Sequence, residues 1–258
     1  MAESEIEPRE RAANVTSNRR RRWLRLPASL GSLALSLTVV LLLAIAAFRS
    51  EPAATDNWVR IEDMSQQLPL AAVAHEDANF CSHWGVDWGE LRKSVNTCVS
   101  AYRSKCRGAG TISQRVSCAW TSWSGCRGAS TITMQVIKNM YLLHWPDLAR
   151  KPLEVPLAYL LSALHSKRLL LETYLNIVPW GYISPRGPAI VGAEAASQYY
   201  YGKSASALTP SEAARLAAAL PCPNSKKCDP RHPSKFRQSR ADQTETNMRY
   251  VRSSCFPP

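Results

Sequence analysis

The sequence predicts a mainly α-helical domain behind a single N-terminal transmembrane helix, and three observations carry that expectation. Ala28 to Phe48 is 21 residues without a charge, long enough as a helix to cross a hydrocarbon core of roughly 30 Å. Between residues 69 and 223 apolar side chains recur at three- and four-residue spacing, with no convincing alternating strand. Thr209-Pro210-Ser211-Glu212 reads as a capping box with proline at the first helical position. The 258 residues leave about 200 beyond the apolar run, room for one domain or one plus a small lobe. A mean hydropathy of −0.23 excludes a polytopic membrane protein.

Residues 1–26 read as a polar, basic cytoplasmic tail and residues 27–48 as the anchor. Arg19, Arg20, Arg21, Arg22 and Arg25 precede the apolar run, whereas only Arg49 and Arg60 follow it, among Glu51 and Asp56. That asymmetry holds the N-terminus in the cytoplasm and sends everything after Phe48 outside. Ala44-Ile45-Ala46 resembles a signal-peptide cleavage site, but the run is longer than the roughly 7–15 apolar residues of such peptides. An exported chain meets an oxidising compartment, so the eight cysteines are expected in disulfides, with Cys222 and Cys228 as a local pair. No Cys-x-x-Cys or His-x3-His spacing occurs, and no metal site is expected. Of the net charge of +12, the first 26 residues account for seven Arg and four Glu, leaving +9 on the anchor and exported part. Such a face suits anionic lipid headgroups or phosphate-bearing substrates, and no nucleic acid is expected as a partner.

Residues 49–68 read as a juxtamembrane linker and 69–223 as the folded domain. Leu153, Leu157, Leu160, Leu161 and Leu164 predict a core-facing stripe over about 152–165, with Pro152 and Pro156 confined to its first turns. Ser166 is expected to cap a second helix running through Leu175. The capping-box helix runs to Leu220 and stops at Pro221. Residues 224–258 form a basic tail with only a weak helix expected around 236–250.

Residues 97–116 and 117–136 align without gaps and are identical at nine of 20 positions, including Cys98 with Cys118 and Cys106-Arg107-Gly108-Ala109 with Cys126-Arg127-Gly128-Ala129. The match predicts a tandem duplication, too short in copy number for a solenoid. The matched cysteines could cross-link the copies, and sequence does not choose the pairing. Trp120 and Trp123, in the second copy, suit a membrane interface.

Two carboxylates, a histidine and a third carboxylate crowd Glu76-Asp77-Ala78-Asn79-Phe80-Cys81-Ser82-His83-Trp84-Gly85-Val86-Asp87. Gly128-Ala129-Ser130-Thr131 places small residues ahead of Gln135, Lys138 and Asn139, which share a helix face by their spacing. Arg150-Lys151-x-x-Glu154 sets two cations and a carboxylate within one turn. With Ser166-Lys167, Leu171-Glu172-x-Tyr174-Leu175-Asn176, Trp180-Gly181 and Leu208-Thr209-x-x-Glu212-Ala213 in order, the chain resembles the peptidoglycan glycosyltransferases of glycosyltransferase family 51 over residues 69–223. With no second catalytic domain beside it, the resemblance is to the monofunctional biosynthetic transglycosylases.

That resemblance implies a lysozyme-like, two-lobed glycosyltransferase domain in the bacterial inner membrane, single-pass, with its catalytic part on the periplasmic face. It implies a lipid-linked disaccharide-pentapeptide as substrate, membrane lipids and other cell-wall synthases as partners, and no certain cofactor, with a divalent cation (Mg) at the pyrophosphate left open. A sugar 4-hydroxyl must lose a proton as it attacks an anomeric carbon, while a lipid pyrophosphate leaves. By the family's pattern Glu76 is the base and Glu154 the second catalytic carboxylate. Lys138, Arg150 and Lys151 face the pyrophosphate, and Ser130, Gln135 and Asn139 position sugar and phosphate oxygens. Asp77, His83 and Asp87 support the motif. The second repeat copy, which alone runs on into Lys138-Asn139 and Arg150-Lys151, is expected to be the working one. Departures from the pattern are Met134 for a usual glutamine, Ala129 for a usual glycine, Ser162 for a frequent glutamate, and a loop before Arg150 that is short and lacks an arginine. They leave open a degenerate member that binds precursor or partner synthases with little activity. A lytic, muramidase-like enzyme is disfavoured, because a hydrolase has no pyrophosphate donor.

Overall fold

The computed structural model describes residues 57–258 except 109, 116, 119–127, 143–146, 185–186, 223–227 and 257–258. The charge-free run, Ala44-Ile45-Ala46, Trp120, Trp123 and the loop before Arg150 lie outside the described residues. No helix among the described residues is long and apolar enough to cross a membrane.

Among the described residues, eight helices of nine residues or more carry the fold. They are α1 (Gln67–Glu76), α2 (Trp88–Lys105), α3 (Ile132–Tyr141), α4 (Asp147–Leu164), α5 (Lys167–Ile177), α6 (Ala193–Tyr201), α7 (Pro210–Ala219) and α8 (Lys235–Met248). One short antiparallel hairpin interrupts them, β1 (Pro179–Tyr182) with β2 (Ala189–Val191), in the register Gly181 to Ile190 and Tyr182 to Ala189. A pair this short shows no alternation to read, which is why sequence missed it.

Helix α1 is central, with Leu68, Pro69, Ala71, Ala72, Val73 and Ala74 all buried. A helix apolar on every side has no solvent face and belongs inside. It packs against α7 and α8, and touches α5. Helix α7 buries five alanines and Leu216, small side chains that suit close approach. Its capping box forms as expected, Thr209 Oγ1 accepting from Glu212 N and Thr209 N donating to Glu212 Oε2.

Helix α5 is capped by Ser166, whose Oγ accepts from Leu169 N at 3.2 Å, and runs two residues beyond Leu175. It also docks the N-terminal end of the described chain. Asn176 Oδ1 accepts from Val59 N and its Nδ2 donates to Val59 O, while Glu172 accepts from Trp58 Nε1 and Ile61 N. Part of the expected linker is therefore tied to the domain.

Helix α4 corrects the leucine stripe. Among its described side chains the buried ones are Arg150, Glu154, Ala158 and Leu161, whereas Leu153 is 38% exposed and Leu157, Leu160 and Leu164 are half-buried. An ion pair, and not a leucine row, leads the inward face.

The weak C-terminal helix is instead the 14-residue α8, packed on α1 and α7 through Ala241, Thr244 and Met248. Only those three residues are buried, too few and too polar to read as a stripe. A disulfide between Cys81 and Cys255, 174 residues apart, fastens the chain end beside Phe80, and Phe256 packs on Phe80 with ring centroids 6.3 Å apart. Closing so long a loop stabilises the fold by about 2–5 kcal/mol. Cys222 pairs with Cys228 as expected, and Cys106 pairs with Cys118, linking the repeat copies.

Candidate active site

Glu76 is the last residue of α1, where the chain turns out of the core through Asp77. Its side chain is 14% exposed, and Gln135 Nε2 donates to its Oε2 at 2.6 Å. Burial pushes the Glu76 carboxyl above the ordinary carboxylate range. The Gln135 hydrogen bond opposes that, Asp77 adds to it, and Arg240 and Lys138 pull back. The result is a carboxylate with raised proton affinity, the property a general base needs. Behind Gln135, Tyr174 donates from its hydroxyl to Gln135 Oε1 at 3.5 Å, and burial, with Glu76 and Asp77 nearby, pushes that phenol well up so that it stays a donor.

Asp77 holds the motifs together. Its Oδ2 accepts from Ile132 N at 3.0 Å, at the start of α3, and its Oδ1 lies 2.8 Å from His83 Nε2. Thr131 caps α3, accepting from Met134 N, and donates to Gly85 O at 2.5 Å. Gly85 adopts φ +82°, and a Cβ there would fall 2.3 Å from Ala158 O and 2.8 Å from Ser162 Oγ. Only glycine lets this turn press on α4. Asp87 caps α2 and accepts from Asn79 Nδ2. Asp77, His83 and Asp87 thus sit in the scaffold.

The second cluster lies on α4. Glu154 is 1% exposed, with Arg150 Nη1 3.2 Å from Oε1 and Lys151 Nζ 3.3 Å from Oε2. The Arg150 contact is an ion pair off hydrogen-bond alignment, leaving Oε1 with no hydrogen-bond donor. Lys151, half-exposed, also donates to Ser130 Oγ at 2.9 Å. Ser130, Lys151, Glu154 and Arg150 therefore form one contiguous polar group. Lys138 and Asn139 are half-buried on α3, beyond Gln135. Met134 is 3% exposed and belongs to the core.

Of the two repeat copies, the second reaches this site. Ile132 is fully buried against Asp77, while its counterpart Ile112 is 81% exposed.

Three residues at the site were not singled out by sequence. Tyr174 was visible only inside a longer motif. Lys167 stands 4.4 Å over the Phe80 ring, its Nζ buried without a hydrogen bond and its ammonium pushed down to about 8 by burial. His75 reads as an ordinary core residue in an apolar helix, and nothing in its spacing marks it.

Against known proteins, the chain matches the family model described as Transglycosylase over residues 44–124 and 116–249, two matches that overlap inside the repeat. Curated relatives named biosynthetic peptidoglycan transglycosylase are similar. The one from Mannheimia succiniciproducens is 41% identical over 167 residues, covering 65% of this chain and 57% of the relative. That from Rhodopseudomonas palustris (strain HaA2) is 41% identical over 171 residues, 66% and 63% of the two chains. That from Shewanella denitrificans is 36% identical over 201 residues, 77% and 74%. The chain thus spans under two thirds of the length of the first two relatives. With the family model matching most of its residues and three relatives above one-third identity, the chain belongs to the transglycosylase family.

Proposed function

We propose that this chain polymerises peptidoglycan glycan strands, transferring a growing glycan from its lipid pyrophosphate to the 4-hydroxyl of a lipid-linked disaccharide-pentapeptide. The observation that supports this most is the Glu76 carboxyl, buried, raised in proton affinity and held on one oxygen by Gln135. Glu76 takes the proton from the acceptor hydroxyl as that oxygen bonds the anomeric carbon with inversion. The bond from that carbon to the pyrophosphate oxygen breaks, and the diphosphate leaves with the electron pair. Lys138, Arg150 and Lys151 face the developing phosphate charge, where fixed cations act most strongly in a partly dry site. Glu154 orients Arg150 and Lys151, and Ser130 and Asn139 position donor oxygens.

In this reading residues 27–48 anchor the chain in the inner membrane, and a lysozyme-like, two-lobed domain works on the periplasmic face. The test is incubation of purified full-length protein with labelled lipid-linked disaccharide precursor, reading product length on a gel. Chains of many repeats support the proposal. Retained precursor binding without polymer would move the chain to a binding role, and release of single sugar units from finished glycan would make it lytic.

A further inference from the structure

We infer that His75 is a positioning residue for Glu76: Thr244 fixes its ring tautomer so that the Nε2 lone pair faces the carboxyl oxygen and accepts a hydrogen bond from it once Glu76 has taken the acceptor proton. The inference rests on Glu76 being the base.

The geometry runs from α8 to α1. Thr244 Oγ1 donates to Arg240 O at 2.8 Å, the back-bond of a threonine within a helix. A hydroxyl has one proton, and this bond uses it. His75 Nδ1, 2.8 Å from the same oxygen, is therefore the donor of that contact, and the ring carries its proton on Nδ1. The other nitrogen is left with a lone pair. Nε2 is buried with no hydrogen-bond partner, in a side chain only 3% exposed, and lies 3.9 Å from Glu76 Oε1. Gln135 occupies the other carboxyl oxygen.

This arrangement has opposite meanings for the two states of Glu76. An ionised Oε1 and an Nε2 lone pair cannot bond each other. When Glu76 has gained the proton, a carboxyl torsion closes the remaining ångström, and Oε1–H donates to Nε2. Catalytic hydrogen bonds are often long before substrate binds. The pairing favours protonated Glu76 and makes it a stronger base. Burial, with Arg240 and Arg237 adding to it, pushes the His75 imidazole down to about 4, so the ring stays neutral and the lone pair available.

Every charge around the pair has a place in this account. Helix α8 supplies Arg237 and Arg240, α3 supplies Lys138, Asp77 follows directly on α1, and α5 presents the Tyr174 phenol. Helix α7, also packed on α1, carries Glu212 and Arg215, and neither is among the charges that shift His75 or Glu76.

Thr244 tests the inference, since it touches neither substrate nor Glu76. Thr244→Val removes the acceptor for Nδ1–H, and the ring proton moves to Nε2, where it bonds ionised Glu76 and weakens the base. Polymerisation measured against pH should then show its acid limb displaced to lower pH by on the order of half a unit, with a reduced plateau. Thr244→Ser, which keeps the hydroxyl, should restore the parent profile. Nitrogen-15 spectra of the full chain in detergent, with the His75 signals identified by their loss in His75→Asn, should show the protonated nitrogen at Nδ1 in the parent and at Nε2 in Thr244→Val. An unmoved acid limb or an Nε2-protonated ring in the parent overturns the role of His75. Full activity in Glu76→Gln would instead overturn the base, a separate failure.

Discussion

Gln135 Nε2 donates to Glu76 Oε2 at 2.6 Å, across 59 positions of sequence, so the second motif holds the reactive group of the first. A hydrogen bond to a charged group contributes about 1.5–3 kcal/mol. Gln135→Leu should therefore lower polymerisation at neutral pH by about tenfold or more. Because this bond holds the Glu76 carboxyl down against burial, its loss raises proton affinity further. The acid limb of the pH profile should move up, opposite in sign to that of Thr244→Val.

Glu154 sits almost fully buried between Arg150 and Lys151. Removing one partner of a buried ion pair costs about 3–5 kcal/mol, since the remaining charge is uncompensated. Glu154→Ala should lower the unfolding midpoint markedly. Glu154→Gln, which keeps shape and hydrogen bonding, should cost less stability while still lowering turnover. Equal stability of Glu154→Ala and parent in thermal unfolding would contradict the structural half of this role.

The buried, neutral His75 links stability to acid. Its proton is bound in the unfolded chain below the ordinary value of about 6.5 and in the fold only below about 4. The unfolded state binds more protons in that window, so stability rises with pH from 4 to 6.5, by up to roughly 3 kcal/mol. Glu76, raised in the fold, works the other way, favouring the fold at low pH and losing that contribution as pH climbs above its ordinary value. Comparing unfolding midpoints of parent and His75→Leu across pH 4–7 isolates the histidine. The parent's midpoint should fall more steeply on acidification than the variant's.

The extra repeat copy gives a further expectation. Ile112 is exposed where Ile132 is buried on Asp77, and the proposed site residues all lie outside 97–116. Insertions in surface segments cost little. Deleting residues 97–116, which also removes Cys98 and Cys106, should leave a folded protein that polymerises at least as well as the parent. Loss of activity in a folded deletion variant would make the repeat part of the site.

Two helix starts were legible because a local bond makes each of them. Thr209 with Glu212 and Ser166 with Leu169 close caps within three residues, and both helix starts were read correctly. The leucine stripe of α4 failed because period alone cannot see that Glu154 turns inward to meet Arg150 and Lys151. Helix α8 was undervalued because its place is set by partners far away in sequence, α1 and the disulfide from Cys81 to Cys255. The site shows the same division. Glu76, Gln135 and Glu154 are nameable through a family resemblance, but the hydrogen bond from Gln135 to Glu76 joins two motifs that sequence leaves separate. His75 and Thr244 are 169 residues apart, and no pattern within either segment connects them.

The central claim is that Glu76 must accept a proton during transfer. Glu76→Gln retains shape and polarity but cannot do so, and its turnover of lipid-linked precursor, measured beside the parent with folding checked by circular dichroism, is the most direct test. Its turnover should fall by about 10²-fold or more with precursor binding retained. Near-parental turnover by the folded variant would contradict it.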